Sequence, residues 1–271
     1  MSEPSQRSIS AEITLDGTGV HSGESAKLTF RPGEPDTGVL FVRTDHEHTP
    51  SIPANLDHVI NTDLGTTIGH DGARVLTVEH VMAAVAAHKI DNLVVEIDGP
   101  EVPIRDGSFS DYFDALSEAG PVEQDQEASI LAVSAPVTAE LDSGSSYVAT
   151  PHSRMRISAT IDFEHPRIGR CYGSYDVDAG FADEIARART FGFEADVEEL
   201  NGRGLALGAS LKNTIVLDAN DIVDNSLRFE DEFLRHKVGD IVGDLALLSR
   251  RLTAHVVAER PSHEGNIELA R

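Results

Sequence analysis

What this chain has least of is cysteine, lysine and uninterrupted apolar sequence. A single cysteine, Cys171, excludes an intramolecular disulfide and cannot by itself furnish a cysteine metal site, in keeping with a reducing compartment. The longest apolar runs, around residues 81–87 and 245–248, are far too short to span a bilayer. Residues 1–7 carry no apolar segment of the kind a secretory signal needs. The expected location is therefore the cytoplasm, without stable membrane insertion. Only four lysines (Lys27, Lys89, Lys212 and Lys237) stand against 46 acidic residues, within a formal charge of −24. Nucleic acid and anionic membranes need a basic footprint, so neither is expected as a general partner. An anionic ligand has to be met by a local basic pocket. The glycine-containing stretch 201–208 lacks a Gly-Lys-Ser/Thr ending and is read as a turn or small insert, not a phosphate loop.

What is present reads as a globular chain of 271 residues with 40% hydrophobic content, enough for one large domain or two small ones. Residues 120–127 combine a Gly-Pro turn signal with a polar run lacking apolar periodicity, the best linker in the chain. This predicts two units, residues 1–123 and 127–271. In the first, alternation predicts strands at 25–31, 38–44 and 92–97. Helices are expected after Thr77, with Val78, Val81, Met82, Val85 and Ala86 on its apolar side, and at 110–119. In the second, strands are expected at 130–141, 147–150, 155–163 and 214–217, and helices at 181–188 and 229–250. Strands first and helices later in each half indicate an α+β class, two sheet-on-helix sandwiches and not a doubly wound sheet.

The helix expected near the C-terminus carries the chemistry. At about 100° per residue, Leu234, Val238, Ile241, Leu245 and Leu248 form one apolar stripe, while His236, Asp240 and Asp244, spaced i, i+4, i+8, form another. A His and a carboxylate one turn apart can bind one metal ion from a single rigid element. Taken alone, the same pair also fits a solvated helix face. With one cysteine in the chain, an open catalytic site of three His/Asp ligands fits better than a closed structural one. Thr77-Val-Glu79-His80 offers the third ligand, one of Glu79 and His80 binding while the other serves as general base. Pro261-Ser-His263 supplies a further His, expected on a loop and available to protonate a leaving amine.

In these pieces the chain resembles the UDP-3-O-acyl-N-acetylglucosamine deacetylase family over essentially its whole length. The matching segments are Gly17-Thr-Gly-Val-His-Ser-Gly23, Thr77-Val-Glu-His80, Ile90-Asp-Asn92, Pro100-Glu-Val-Pro-Ile-Arg-Asp-Gly-Ser108, Arg189-Thr-Phe-Gly-Phe193, Leu227-Arg-Phe-Glu-Asp-Glu-Phe-Leu-Arg-His-Lys237 and His263. The resemblance implies two similar domains with the active site between them, and zinc-dependent hydrolysis of the N-acetyl group of UDP-3-O-[(3R)-3-hydroxyacyl]-N-acetylglucosamine in lipid A biosynthesis. It implies zinc ligands His80, His236 and Asp240, a position iron(II) can also fill. Glu79 would be the general base, His263 the cationic acid or electrostatic partner, Asp244 its hydrogen-bond partner and Thr190 the oxyanion donor. Lys237 would contact the substrate, Phe163, Phe193 and Asp196 would hold the UDP part, and an insert near 193–215 would form the acyl-chain passage. A monomer is expected. Gly239, where a larger aliphatic is usual, and Phe109, where a small residue is common, depart from the family's pattern, and the chain ends soon after His263.

The acidic composition has two readings, a salt-adapted surface or an ordinary acidic enzyme. Salt adaptation predicts that Tm climbs steeply in molar KCl; a rise of only a few degrees would remove that reading.

Overall fold

The computed structural model describes residues 4–271. In the first half, strands Ile13–Thr18, Ser25–Pro32, Leu93–Ile97, Val39–Arg43 and Ser51–Pro53 lie side by side in that order. Leu93–Ile97 enters the middle late, antiparallel to Ser25–Pro32 and parallel to Val39–Arg43. The second half repeats this plan. Val137–Glu140, Ser146–Pro151, Arg251–Glu259, Arg156–Phe163 and Gly169–Asp176 follow in order, with Arg251–Glu259 antiparallel to Ser146–Pro151 and parallel to Arg156–Phe163. A short strand, Ile130–Ala132, also pairs with it in parallel.

The sheets bury one face each because alternate residues are apolar: Ala26, Leu28 and Phe30 in one, Ile157, Ala159 and Ile161 in the other. Helices cover those faces in matching places. Helix α1 (Glu79–Ala87) precedes the first inserted strand and α2 (Ser110–Ala119) follows it. After the short helices α3 (Val177–Gly180) and α4 (Val197–Gly202), helix α5 (Glu232–Leu245) precedes the second inserted strand and α6 (His263–Ala270) follows it. The expected α+β class of two sheet-and-helix layers holds. The equivalent helices α1 and α5 pack on each other, so twelve of the fourteen α5 residues are buried, polar stripe included. The cores interlock: Ala83 and Phe109 pack into the second, Leu247 and Ile267 into the first.

Several expectations change. Residues 120–127, read as a linker, contain the strand Pro121–Glu127, antiparallel to Ser5–Ile9. Its side chains are mostly exposed, so main-chain pairing holds it, which apolar periodicity cannot register. The strand expected at 130–141 is broken in two at 133–136. The helix expected at 181–188 begins at Val177 and continues as a π turn over Phe181–Ile185. His263 is not on a loop: the Ser262 hydroxyl accepts from Gly265 N at 3.1 Å and caps α6, which starts at His263.

Glu232, fully buried, accepts from Arg189 N and Nε, from Arg189 Nη2 and from Arg228 N at 2.6–3.1 Å, tying the Arg189-Thr-Phe-Gly-Phe193 motif to the head of α5. Removing one member of a buried pair strands the other. Glu232→Ala is therefore expected to lower stability by about 3–5 kcal/mol in a urea melt; a loss below about 1 kcal/mol would contradict the anchoring role.

Candidate active site

The site lies where α1 and α5 cross. A Cβ on Gly243 would come within 2.0 Å of the Glu79 carbonyl oxygen, so glycine there lets the two backbones touch. Thr77 precedes α1 in the left-handed region (φ 60), where a β-branched residue is strained. Its hydroxyl donates to Glu101 at 2.8 Å, and the Glu101 carboxylate also accepts from His21 N and Ser22 N. Glu101 thus joins three of the sequence motifs and holds the turn that delivers Glu79 and His80.

Two groups of buried side chains result, each with donor atoms within 4.8 Å of one another: His80, His236 and Asp240, and Glu79, Asp244 and His263. They differ in how far their polar atoms are satisfied. In the second, Asp244 accepts from Thr66 Oγ1 at 2.5 Å, Asn266 Nδ2 at 2.8 Å and His263 Nδ1 at 2.9 Å, and Glu79 Oε2 accepts from Thr66 N at 2.9 Å. In the first, His80 Nδ1 and Asp240 Oδ1 are buried without a hydrogen-bond partner. His236 Nδ1 donates to the Ala188 carbonyl at 3.1 Å, leaving Nε2 facing Asp240 Oδ1 at 3.4 Å. Unsatisfied buried polar atoms are costly, and converging nitrogen and oxygen lone pairs with an oriented imidazole fit a divalent metal ion.

The electrostatics separate the groups further. Burial pushes the His80 imidazole down to about 3, and burial also lowers His236 against the pull of Asp240, so both rings are neutral, as ligands must be. Burial alone would raise Asp240, but His236, Lys237 and His263 outweigh it and hold this carboxyl well below the ordinary range. Burial raises Glu79, opposed by the charge of His263 and reinforced by Asp244 and Asp240. Burial works against charge on His263, yet Asp244, Glu79 and Asp240 carry it up to about 9. Lys237 donates to Asp240 Oδ2 at 2.9 Å, and that carboxylate outweighs burial to raise its pKa.

The remaining expected residues lie at different distances. Thr190 is partly exposed, two residues past the Ala188 carbonyl that holds His236. Phe163 and Phe193 sit with ring centroids 6.0 Å apart, and Phe191 packs between them and His236. Asp196 is exposed at the head of α4 and caps nothing. Sequence reading missed Thr66 and Asn266, the other partners of Asp244. Thr66 belongs to no motif and gave no signal. Asn266 lies three residues after His263 on α6 and was findable only once that helix was seen.

Comparison with known proteins follows the same lines. A family model described as UDP-3-O-acyl N-acetylglycosamine deacetylase matches residues 6–271. A UDP-3-O-acyl-N-acetylglucosamine deacetylase of Myxococcus xanthus is 48% identical over 271 residues, covering 98% of this chain and 85% of the relative. Enzymes with that name from Bdellovibrio bacteriovorus and Oleidesulfovibrio alaskensis are 42% and 44% identical, covering 98% and 96% of this chain and 88% and 86% of those relatives.

The Asp244–His263 pair predicts a titration in the metal-free protein. A His whose folded pKa is raised contributes stability that is complete below its unfolded value, about 6.5, and is lost as pH rises towards 9. NMR is expected to follow the His263 ring to a midpoint near 9. In Asp244→Asn the midpoint drops, and Tm depends less on pH between those values. A His263 midpoint near 6.5 in the unmutated protein would contradict the pairing.

Proposed function

The chain belongs to the UDP-3-O-acyl N-acetylglycosamine deacetylase family, and from that premise we propose how its own residues carry the family's reaction. It is a hydrolase that removes the N-acetyl group of UDP-3-O-acyl-N-acetylglucosamine, releasing acetate and the free amine. The observation that carries the residue assignment is the convergence of His80, His236 and Asp240, with two buried atoms still lacking partners. These three residues hold the metal. Two imidazoles and a carboxylate suit zinc, and iron(II) accepts the same set. When bound, such a cation supplies Lewis acidity, polarising the acetamide carbonyl and acidifying water.

Glu79, placed one residue before His80 and pushed up by burial, accepts the proton of the attacking water; a base whose pKa approaches the working pH transfers protons best. Oxygen adds to the acetamide carbon, and the Thr190 hydroxyl donates to the oxyanion. The C–N bond then breaks only if the sugar nitrogen leaves protonated. His263, held as imidazolium by Asp244, supplies that proton, and the one taken from water remains on Glu79 until acetate departs. Thr66 bridges Glu79 and Asp244, so base and acid are fixed relative to each other.

Substrate contacts extend outward. Lys237, half-buried beside Asp240, meets an oxygen of the substrate. Phe163 and Phe193 present aromatic faces to the uracil, with Asp196 at the rim. Leu207 and Leu211 are exposed on the insert and give it an apolar surface for the acyl chain.

Acetate release from UDP-3-O-acyl-N-acetylglucosamine, followed by mass spectrometry, tests this reading. Activity is expected to vanish with chelator and return with Zn²⁺. Glu79→Gln is expected to keep its metal and lose about 10² or more in kcat; near-full turnover would remove the general-base role.

A further inference from the structure

Beyond the ligands themselves, one fully buried ring touches two of them. Phe109 sits at the head of α2 with its centroid 4.7 Å from the His80 ring and 5.1 Å from that of His236, stacked on the latter at 28°. His80 and His236 are themselves 5.2 Å apart. The three rings form a nearly equilateral triangle contributed by α1, α5 and the turn into α2.

The imidazoles are not equally restrained. His236 is fixed by the Ala188 carbonyl. The Ser108 backbone faces the His80 ring, but Nδ1 closes no hydrogen bond. Packing therefore shares with the Ser108 backbone in setting the orientation of His80, and Phe109 is the non-ligand aromatic ring against it. Phe109 is anchored in turn: its N–H donates to the Ala186 carbonyl at 2.9 Å, two residues from the carbonyl that fixes His236. One short segment of the second half thus holds both a candidate ligand and the ring beside it.

Room for that ring comes from Gly239. A Cβ there would lie 2.3 Å from both Cε2 and Cζ of Phe109, a distance that no side chain tolerates. Glycine is a poor helix former, and in α5 it stands directly before Asp240. Phe109 and Gly239 thus fill and vacate the same volume.

We propose that Phe109, seated in the space left by Gly239, is a positioning residue that sets the spacing and tilt of His80 and His236 and so tunes the metal site of this chain. This rests on the metal assignment above. The ring forms a dry wall on one side of both imidazoles and restricts their rotation, so fewer arrangements of the ligand set compete with the one that binds. Loss of a hydrogen-bonding partner of a ligand commonly weakens metal binding about 10–100-fold, and the effect of losing the packed ring is expected at the low end of that range.

The test uses Co²⁺ as probe, with competition against a chelator and the visible absorption of the bound ion as readouts, alongside Tm of the metal-free protein. Phe109→Leu keeps an apolar side chain but not the flat ring. It is expected to fold, to bind Co²⁺ about tenfold more weakly and to shift the visible bands. Gly239→Ala is expected to evict the ring with the same two effects. Phe109→Ala/Gly239→Ala is expected to lose less Tm than the sum of its single variants, because the clash is gone. Co²⁺ affinity within twofold of the unmutated protein and unchanged bands in Phe109→Leu would overturn the proposal, as would additive Tm losses in the double variant. If the unmutated protein takes up no Co²⁺, the metal assignment fails first and this inference with it.

Discussion

The contact on which the site depends is the crossing of α1 and α5 at Gly243. With hydrogen as its side chain, α5 rests against the Glu79 backbone, and this close approach brings residues more than 150 positions apart into one buried cluster. Any larger residue at that position would part the helices and separate His80 from His236 and Asp240. The duplicated topology makes the crossing possible. Each half inserts a late strand into the middle of its sheet with one helix before it and one after, so the equivalent helices meet face to face. At the other end of α1, Arg251 pairs with Asp91 at 2.6 Å and donates to the carbonyls of Ser5 and Lys89, bracing the halves.

Burying that many ionisable groups has a logic of charge. The carboxyls of Glu79, Asp240 and Asp244 face only Lys237 and a protonated His263 as positive partners in the cluster. The group is one positive charge short when all three are ionised. The unpartnered Asp240 Oδ1 reflects that shortage, and on Glu79 the repulsion of Asp244 and Asp240 adds to the larger upward push of burial. A dication beside His80 and His236 would relieve both and leave Glu79 free to exchange a proton. The same cluster gives the proposed base and acid different environments: Thr66 and burial govern Glu79, whereas Asp244, braced by Thr66 and Asn266, governs His263.

Much of this was legible in the residues. Period 2 marked Ser25–Pro32 and Arg156–Phe163 because each buries one face, and the i, i+4, i+8 spacing on α5 marked His236, Asp240 and Asp244. The wheel could not tell that the polar stripe would be as buried as the apolar one, since that depends on a partner helix from the other half. Arg251–Glu259, the central strand of its sheet, escaped notice because Arg-Leu-Thr-Ala-His-Val-Val-Ala-Glu alternates only weakly. Pro121–Glu127 escaped because its pairing is main-chain and its side chains face solvent. Thr66 was invisible for a related reason: its role is a backbone N–H and a hydroxyl placed by folding. The resemblance to a known family supplied the substrate, which no spacing or periodicity encodes.

The central claim is that one metal ion sits on His80, His236 and Asp240 and not on the neighbouring Glu79, Asp244 and His263. Anomalous diffraction from crystals of the zinc-loaded protein, collected on both sides of the zinc absorption edge, decides between them. A single peak bonded to a ring nitrogen of His80, Nε2 of His236 and a carboxylate oxygen of Asp240 is the predicted result. A peak on the Glu79 group, or no peak in protein that is catalytically active, would contradict the account.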